Sequence, residues 1–179
     1  IGGNGSNITI SGDKTYVEAT GGGDAEAAGA GIGGGALGTG DVTIEGNVTI
    51  ENAQGGAGAA GIGGGAETQP DTEDTRNKVS IKSTEAGSPN ITAKGGGVLN
   101  NEEAPLPGAA AIGSGSVADD AHEVKSDITI EGKVTINATG GGDIAIPESV
   151  KDDVYDLGFV SKQDKYNAMA AAALLCQPS

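Results

Sequence analysis

The chain is 179 residues long, enough for one domain of ordinary size, and its 34 glycines come with six prolines and no every-third-residue period, which excludes collagen. One Phe, three Tyr and no Trp leave little for an aromatic core or an aromatic sugar-stacking platform, so small and β-branched residues must fill the interior. Twenty-five acidic against ten basic side chains give a formal charge of −15, which repels nucleic acid and anionic membrane surfaces, and the single Cys176 excludes an internal disulfide framework.

In chain order, one pattern recurs four times: a β-type triplet, a turn, a second triplet, a glycine cluster and a Gly/Ala-Ile-Gly segment. The first copy reads Asn7-Ile8-Thr9-Ile10, Tyr16-Val17-Glu18-Ala19, Gly21-Gly22-Gly23 and Ala30-Gly31-Ile32-Gly33-Gly34-Gly35. The second reads Asp41-Val42-Thr43-Ile44, Val48-Thr49-Ile50, Gly55-Gly56 and Ala60-Gly61-Ile62-Gly63-Gly64-Gly65. The third reads Lys78-Val79-Ser80-Ile81, Asn90-Ile91-Thr92, Gly95-Gly96-Gly97 and Ala110-Ala111-Ile112-Gly113. The fourth reads Asp127-Ile128-Thr129-Ile130, Val134-Thr135-Ile136, Gly140-Gly141-Gly142 and Ile144-Ala145-Ile146. First triplets start at residues 8, 42, 79 and 128, so the spacings are 34, 37 and 49, and the excess lies in polar, loop-like stretches. A solenoid tolerates such insertions because each repeat touches only its neighbours.

Period-two alternation turns Ile8 and Ile10 to one side and Thr9 to the other. The expected inward set is Ile8/Ile10, Val42/Ile44, Val79/Ile81 and Ile128/Ile130 on one face and Val17, Ile50, Ile91 and Ile136 on a second. A third face takes Ala30/Ile32, Ala60/Ile62, Ala110/Ile112 and Ile144/Ile146. Helix is excluded for the Gly/Ala segments, since each interior glycine costs about 1 kcal/mol relative to alanine. The pattern predicts an all-β fold: a right-handed parallel β-helix of about four coils over residues 1–147, with three short strands per coil and like residues stacked about 4.8 Å apart. Residues 148–179 change character, ending in an Ala- and Leu-rich run, and are expected to form a partly helical C-terminal cap or tail. Ile1-Gly2-Gly3 matches Ile32-Gly33-Gly34, so the chain reads as a fragment that starts inside a third segment.

Stacking would align Thr9, Thr43, Ser80 and Thr129 in one outward row. It would flank them with Asn7, Asp41, Lys78, Asp127 and with Ser11, Glu45, Lys82, Glu131, placing a lysine of copy three between acids of copies two and four. Sequons begin at Asn4, Asn7, Asn47, Asn90 and Asn137, glycan acceptors in a secreted eukaryotic or archaeal protein and by-products of turn-Asn and strand-Thr usage elsewhere. Two acidic loops carry calcium candidates of the hard-oxygen type: Asp71, Glu73 and Asp74, with Glu67 beside them, and Asp119, Asp120 and Glu123. Neither matches an EF-hand or a GGxGxD repeat, and solvated loop charge is the plainer reading. The only histidine, His122, has no nucleophile pattern around it, no phosphate-loop lysine follows the glycine runs, and charges alternate in sign, so an enzyme is not expected. No apolar run reaches membrane-spanning length.

The Ala-Gly-Ile-Gly-Gly-Gly segments together with Val42-Thr43-Ile44-Glu45-Gly46-Asn47-Val48-Thr49-Ile50 resemble the glycine-rich β-helix repeats of large surface proteins from anaerobic Gram-positive bacteria. The resemblance covers residues 1–147. It implies an extracellular or cell-surface location within a longer chain, and an adhesin-like or carbohydrate-binding role toward polysaccharide or host glycans, in some relatives acidic plant polysaccharide held through calcium. A purely structural stalk or filament subunit is the alternative, and ice binding by the threonine row a third.

Overall fold

A computed structural model describes residues 1–3, 5, 7–23, 28–67, 76–97, 108–117 and 124–142, and all of them are strand, turn or irregular, with no helix. The chain divides into Ile1–Asp143 and Ile144–Ser179. The second unit, with the expected cap and the Ile144/Ile146 pair, lies outside the described residues.

Copies one and two each run both triplets into a single 14-residue strand, β1 (Asn7–Thr20) and β3 (Asp41–Gln54). The short third segments are β2 (Ile32–Gly33) and β4 (Ile62–Gly63). Copy three splits its triplets into β5 (Arg76–Lys82) and β6 (Asn90–Lys94) before β7 (Ile112–Gly113). Copy four contributes β8 (Lys125–Glu131) and β9 (Thr135–Thr139). The expectation of three short strands per copy therefore fails for copies one and two, and the linkers explain why. Gly46 (φ 84°) pairs with Gly12 (φ 138°), so the bend stays within the ladder. In copy three the link closes on itself through a reciprocal Thr84–Gly87 pair at 2.9 and 3.1 Å, and Pro89 then lacks an N–H to continue a ladder.

Every strand pair is parallel and joins one copy to the next. One sheet has the order β8-β5-β3-β6-β9 with β1 also on β3, and the other is β2-β4-β7. The repeat register holds at the aliphatic positions, with shifts in the second half of the long ladders between Gly12 and Thr15, Val17 and Glu18, and Ile50 and Ala53: Val42 pairs with Ile8 and Val79, and Ile128 with Val79, while Ile62 pairs with Ile32 and Ile112. Ile1 extends the second row, its amine donating to the Gly31 carbonyl at 2.8 Å and its carbonyl accepting from Gly33 N at 2.9 Å.

Alternation places the aliphatic stripes as expected in the middle of the stack, where Val42, Ile44, Val48, Ile50, Ile62, Val79, Ile81 and Ile91 are buried in one cluster. Exposure rises toward the last row. Ile128 and Ile130 are 44% and 52% exposed, because no described strand follows β8. Ala110 is likewise exposed, contrary to the inward assignment, while its neighbour Ala111 joins the cluster. Ala30 and Ala60 are each covered by a following copy, and Ala110 ends its row among the described residues.

On the third side the copies approach through backbone. Gly33, Gly63 and Gly113 lie in register at φ 137°, 130° and 132°, and a Cβ on Gly63 would strike the Gly113 carbonyl oxygen. Only glycine suits both the dihedral and the gap. Ala28, Ala59 and Ala66 form a separate small cluster on this side.

Candidate ligand-binding surface

The outward side chains of the first triplets form the rows expected from the sequence. Thr9, Thr43, Ser80 and Thr129 are in register, flanked by Asn7-Asp41-Lys78-Asp127 and Ser11-Glu45-Lys82-Glu131. Six of these twelve positions carry charge, so ion pairing decides what the face offers. Lys82 Nζ lies 2.9 Å from Glu45 Oε2. The hydrogen bond to Glu45 and its negative charge raise the lysine above its ordinary pKa, with a smaller push from Glu131 and partial desolvation opposing. In the other flanking row the cation beside Asp127 is Arg76, at 3.2 Å, and not the expected Lys78. Arg76 pairs with Lys125 in the ladder and so sits two positions before Lys78, and its longer side chain spans to the next strand.

The second triplets present a different surface. Tyr16, Thr49, Asn90 and Thr135 form one row, and Thr20, Gln54, Lys94 and Thr139 another. Between them a bulge sets Glu18 beside Asn52, and Thr92 pairs with Asn137. Lys94 is the one charge in the two regular rows, so hydroxyls and amides dominate. Gln54 is pinned across copies, Nε2 donating to the carbonyls of Gly55 at 3.0 Å and Gly95 at 3.3 Å. Tyr16 is 69% exposed at the β1 end of this face. Its exposure was not legible as a site feature, because in sequence it opens an ordinary strand triplet.

The chain matches no known protein family, no curated protein and no solved structure. What the surface can do must therefore be argued from its own residues.

The calcium candidates Asp71, Glu73, Asp74, Asp119, Asp120 and Glu123 lie outside the described residues, as do His122 and Cys176. Among the described residues no group of three or more His, Cys, Asp or Glu is placed to hold a metal ion. The framework does fix where the two acidic segments attach. Glu67 N donates to the Ser116 carbonyl at 2.8 Å where they leave, and Arg76 pairs with Lys125 where they return. Beneath that corner Asn77 is fully buried: its Oδ1 accepts from Gly40 N at 2.9 Å and its Nδ2 donates to Ser114 Oγ at 3.2 Å. Ser114 continues the chain of bonds to Ser126 and to the Val124 carbonyl. This network was missed in the sequence, where Asn77 reads as the end of a polar loop.

Of the sequon asparagines, Asn7, Asn47, Asn90 and Asn137 are exposed, and Asn4 lies outside the described residues. Among the described residues no helix is long and apolar enough to cross a membrane.

Proposed function

We propose that this chain is the repeat region of a non-enzymatic extracellular or cell-surface protein, acting as an adhesin-like or carbohydrate-binding module. In this reading its parallel sheets are the walls of a right-handed parallel β-helix of about four coils. The handedness is supported by the crossover rule, since parallel strands of one sheet joined through a crossover are right-handed in about 98% of cases. The coil reading is supported by ladders that tie each segment to the same segment of the next copy in both sheets.

The observation that carries the binding role is the second outward face, where hydroxyl and amide side chains stand in fixed rows on a stack whose interior is aliphatic. Such groups exchange hydrogen bonds with sugar hydroxyls without the desolvation cost of buried charge. A glycan array probed with and without a chelator tests the reading. Reproducible glycan binding is expected, chelator-sensitive only if the acidic loops take calcium; no binding in either condition would sink it.

The stalk alternative draws support from a different observation. The first-triplet aliphatic row runs through all four copies, and among the described residues Ile128 and Ile130 stand open at its last strand, as stacking in a unit built for length would require.

A further inference from the structure

We infer that the second outward face is the binding surface, and that its ligand is a neutral, extended polysaccharide lying along the stacking direction. The inference rests on the carbohydrate-binding reading and goes beyond it by naming the face, the ligand class and the orientation. Three observations carry it.

The first is charge. In a chain of formal charge −15, the rows Tyr16-Thr49-Asn90-Thr135 and Thr20-Gln54-Lys94-Thr139, with Glu18, Asn52, Thr92 and Asn137 between them, carry two charged side chains in twelve positions, Glu18 and Lys94, and the bulge adds an exposed Glu51. The first-triplet face carries six in twelve, and Lys82 is already engaged with Glu45 and Asp127 with Arg76. A polyanion would find no free cationic row on the second face, and a neutral chain of hydroxyls would find amides and hydroxyls at most positions.

The second is spacing. Parallel neighbours stand about 4.8 Å apart, close to the length of one pyranose residue in an extended chain. A glycan running across the strands therefore meets one copy's side chains per sugar, and the same hydrogen-bonding types recur at each step. A glycan running along a strand would meet outward side chains of differing kind about 6.6 Å apart and would lose that repeat.

The third is Tyr16. It is a large hydrophobe, 69% exposed, on the outward face of β1. A phenol ring there offers one stacking platform for the face of a sugar, with its hydroxyl as a donor beside it.

The test uses soluble neutral polysaccharides (a β-glucan, a mannan and a xylan) and one anionic polymer, polygalacturonate, with the whole chain and three variants. Tyr16→Ala removes the platform. Thr135→Lys and Thr129→Lys form a matched pair, the same exposed change in copy four on the second and first faces respectively. Circular dichroism and thermal melting establish that each variant keeps its fold. The expected result is binding of at least one neutral polymer, weakened about tenfold by Tyr16→Ala and by Thr135→Lys and unchanged by Thr129→Lys. Equal effects of the two lysine variants, or none from either, would overturn the face assignment. Binding confined to polygalacturonate and abolished by a chelator would overturn this inference while leaving the carbohydrate-binding reading intact. Absence of binding to every polymer would remove both.

Discussion

The triplet side and the glycine side of the stack hold successive copies together in different ways. Between β3 and β5 the contact is made by branched side chains: Val42 and Ile44 meet Val79 and Ile81 in a buried stripe. Between β4 and β7 it is made by backbone, with the Gly63 and Gly113 peptide planes so close that a methyl group has nowhere to go. A side-chain stripe loses stability gradually as volume is removed. A backbone seam does not loosen in steps, because one added carbon forces the copies apart. Substitutions that enlarge a residue should thus be most damaging on one side, and substitutions that shrink one should be most damaging on the other.

The largest effect expected from this contrast is at Gly63. Gly63→Val requires a β-branched residue at φ 130° and drives its Cβ into the Gly113 carbonyl, so a loss of about 4 kcal/mol or more is expected. Urea denaturation should show the folded baseline shortened or gone. Gly22→Ala serves as the internal control, since a Cβ there meets nothing within 4 Å, and it should stay within about 0.5 kcal/mol of the parent. If both variants behave alike, the backbone-seam account is wrong.

On the triplet side, Ile81→Ala removes a fully buried side chain from the middle of the stripe and should cost about 2–5 kcal/mol. Ile130→Ala is the same change in the next row, where the side chain is 52% exposed, and should cost less than half as much. The ratio of the two, read from denaturant midpoints at equal slope, measures how far the core continues past β5. Equal costs would mean that Ile130 is covered in solution.

The register of these rows was legible because each copy repeats one pattern: matching the copies fixes the phase, and a one-residue slip would turn every Ile and Val outward. Val42 over Ile8, Ile62 over Ile32 and the Thr9-to-Thr129 row follow from that constraint alone. Features decided by what lies across a gap were not legible. Whether Gly46 bends a strand or ends it depends on Gly12 beside it, and Asp127 takes Arg76 because of side-chain reach, which spacing does not encode. Ala110 and Ala111 are adjacent and chemically identical, and which of them meets the core is not encoded in their spacing. The second face was legible as alternating polar positions; its low charge emerges once the rows are paired.

Asn77 tests the corner where the two sides meet. Asn77→Ala leaves the Gly40 N–H without its acceptor in a buried setting, so a loss of about 1–3 kcal/mol is expected, more than an average surface change. Ser114→Ala removes the acceptor of Asn77 Nδ2 and leaves the bond from Gly40 N to Oδ1 in place, so it separates the two bonds. If the alanine variant melts with the parent, the network adds nothing to stability.

The smallest effect belongs to the surface pair Lys82–Glu45. Exposed ion pairs contribute little, and this one joins β3 to β5 on the outward face. Its pH signature is nevertheless specific. Glu45 raises the lysine's pKa in the folded state above the unfolded value of about 10.4, so the contribution is fully present below that value. It fades as pH rises through the folded pKa, where the ammonium loses its proton. Lys82→Gln should accordingly destabilise the chain slightly at neutral pH, and the gap to the parent should close in strongly alkaline solution. Raising ionic strength should shrink the same gap, because the pair is partly exposed and screened. A gap that survives both high pH and high salt would assign the lysine's role to the packing of its methylene stem against its outward neighbours rather than to its charge.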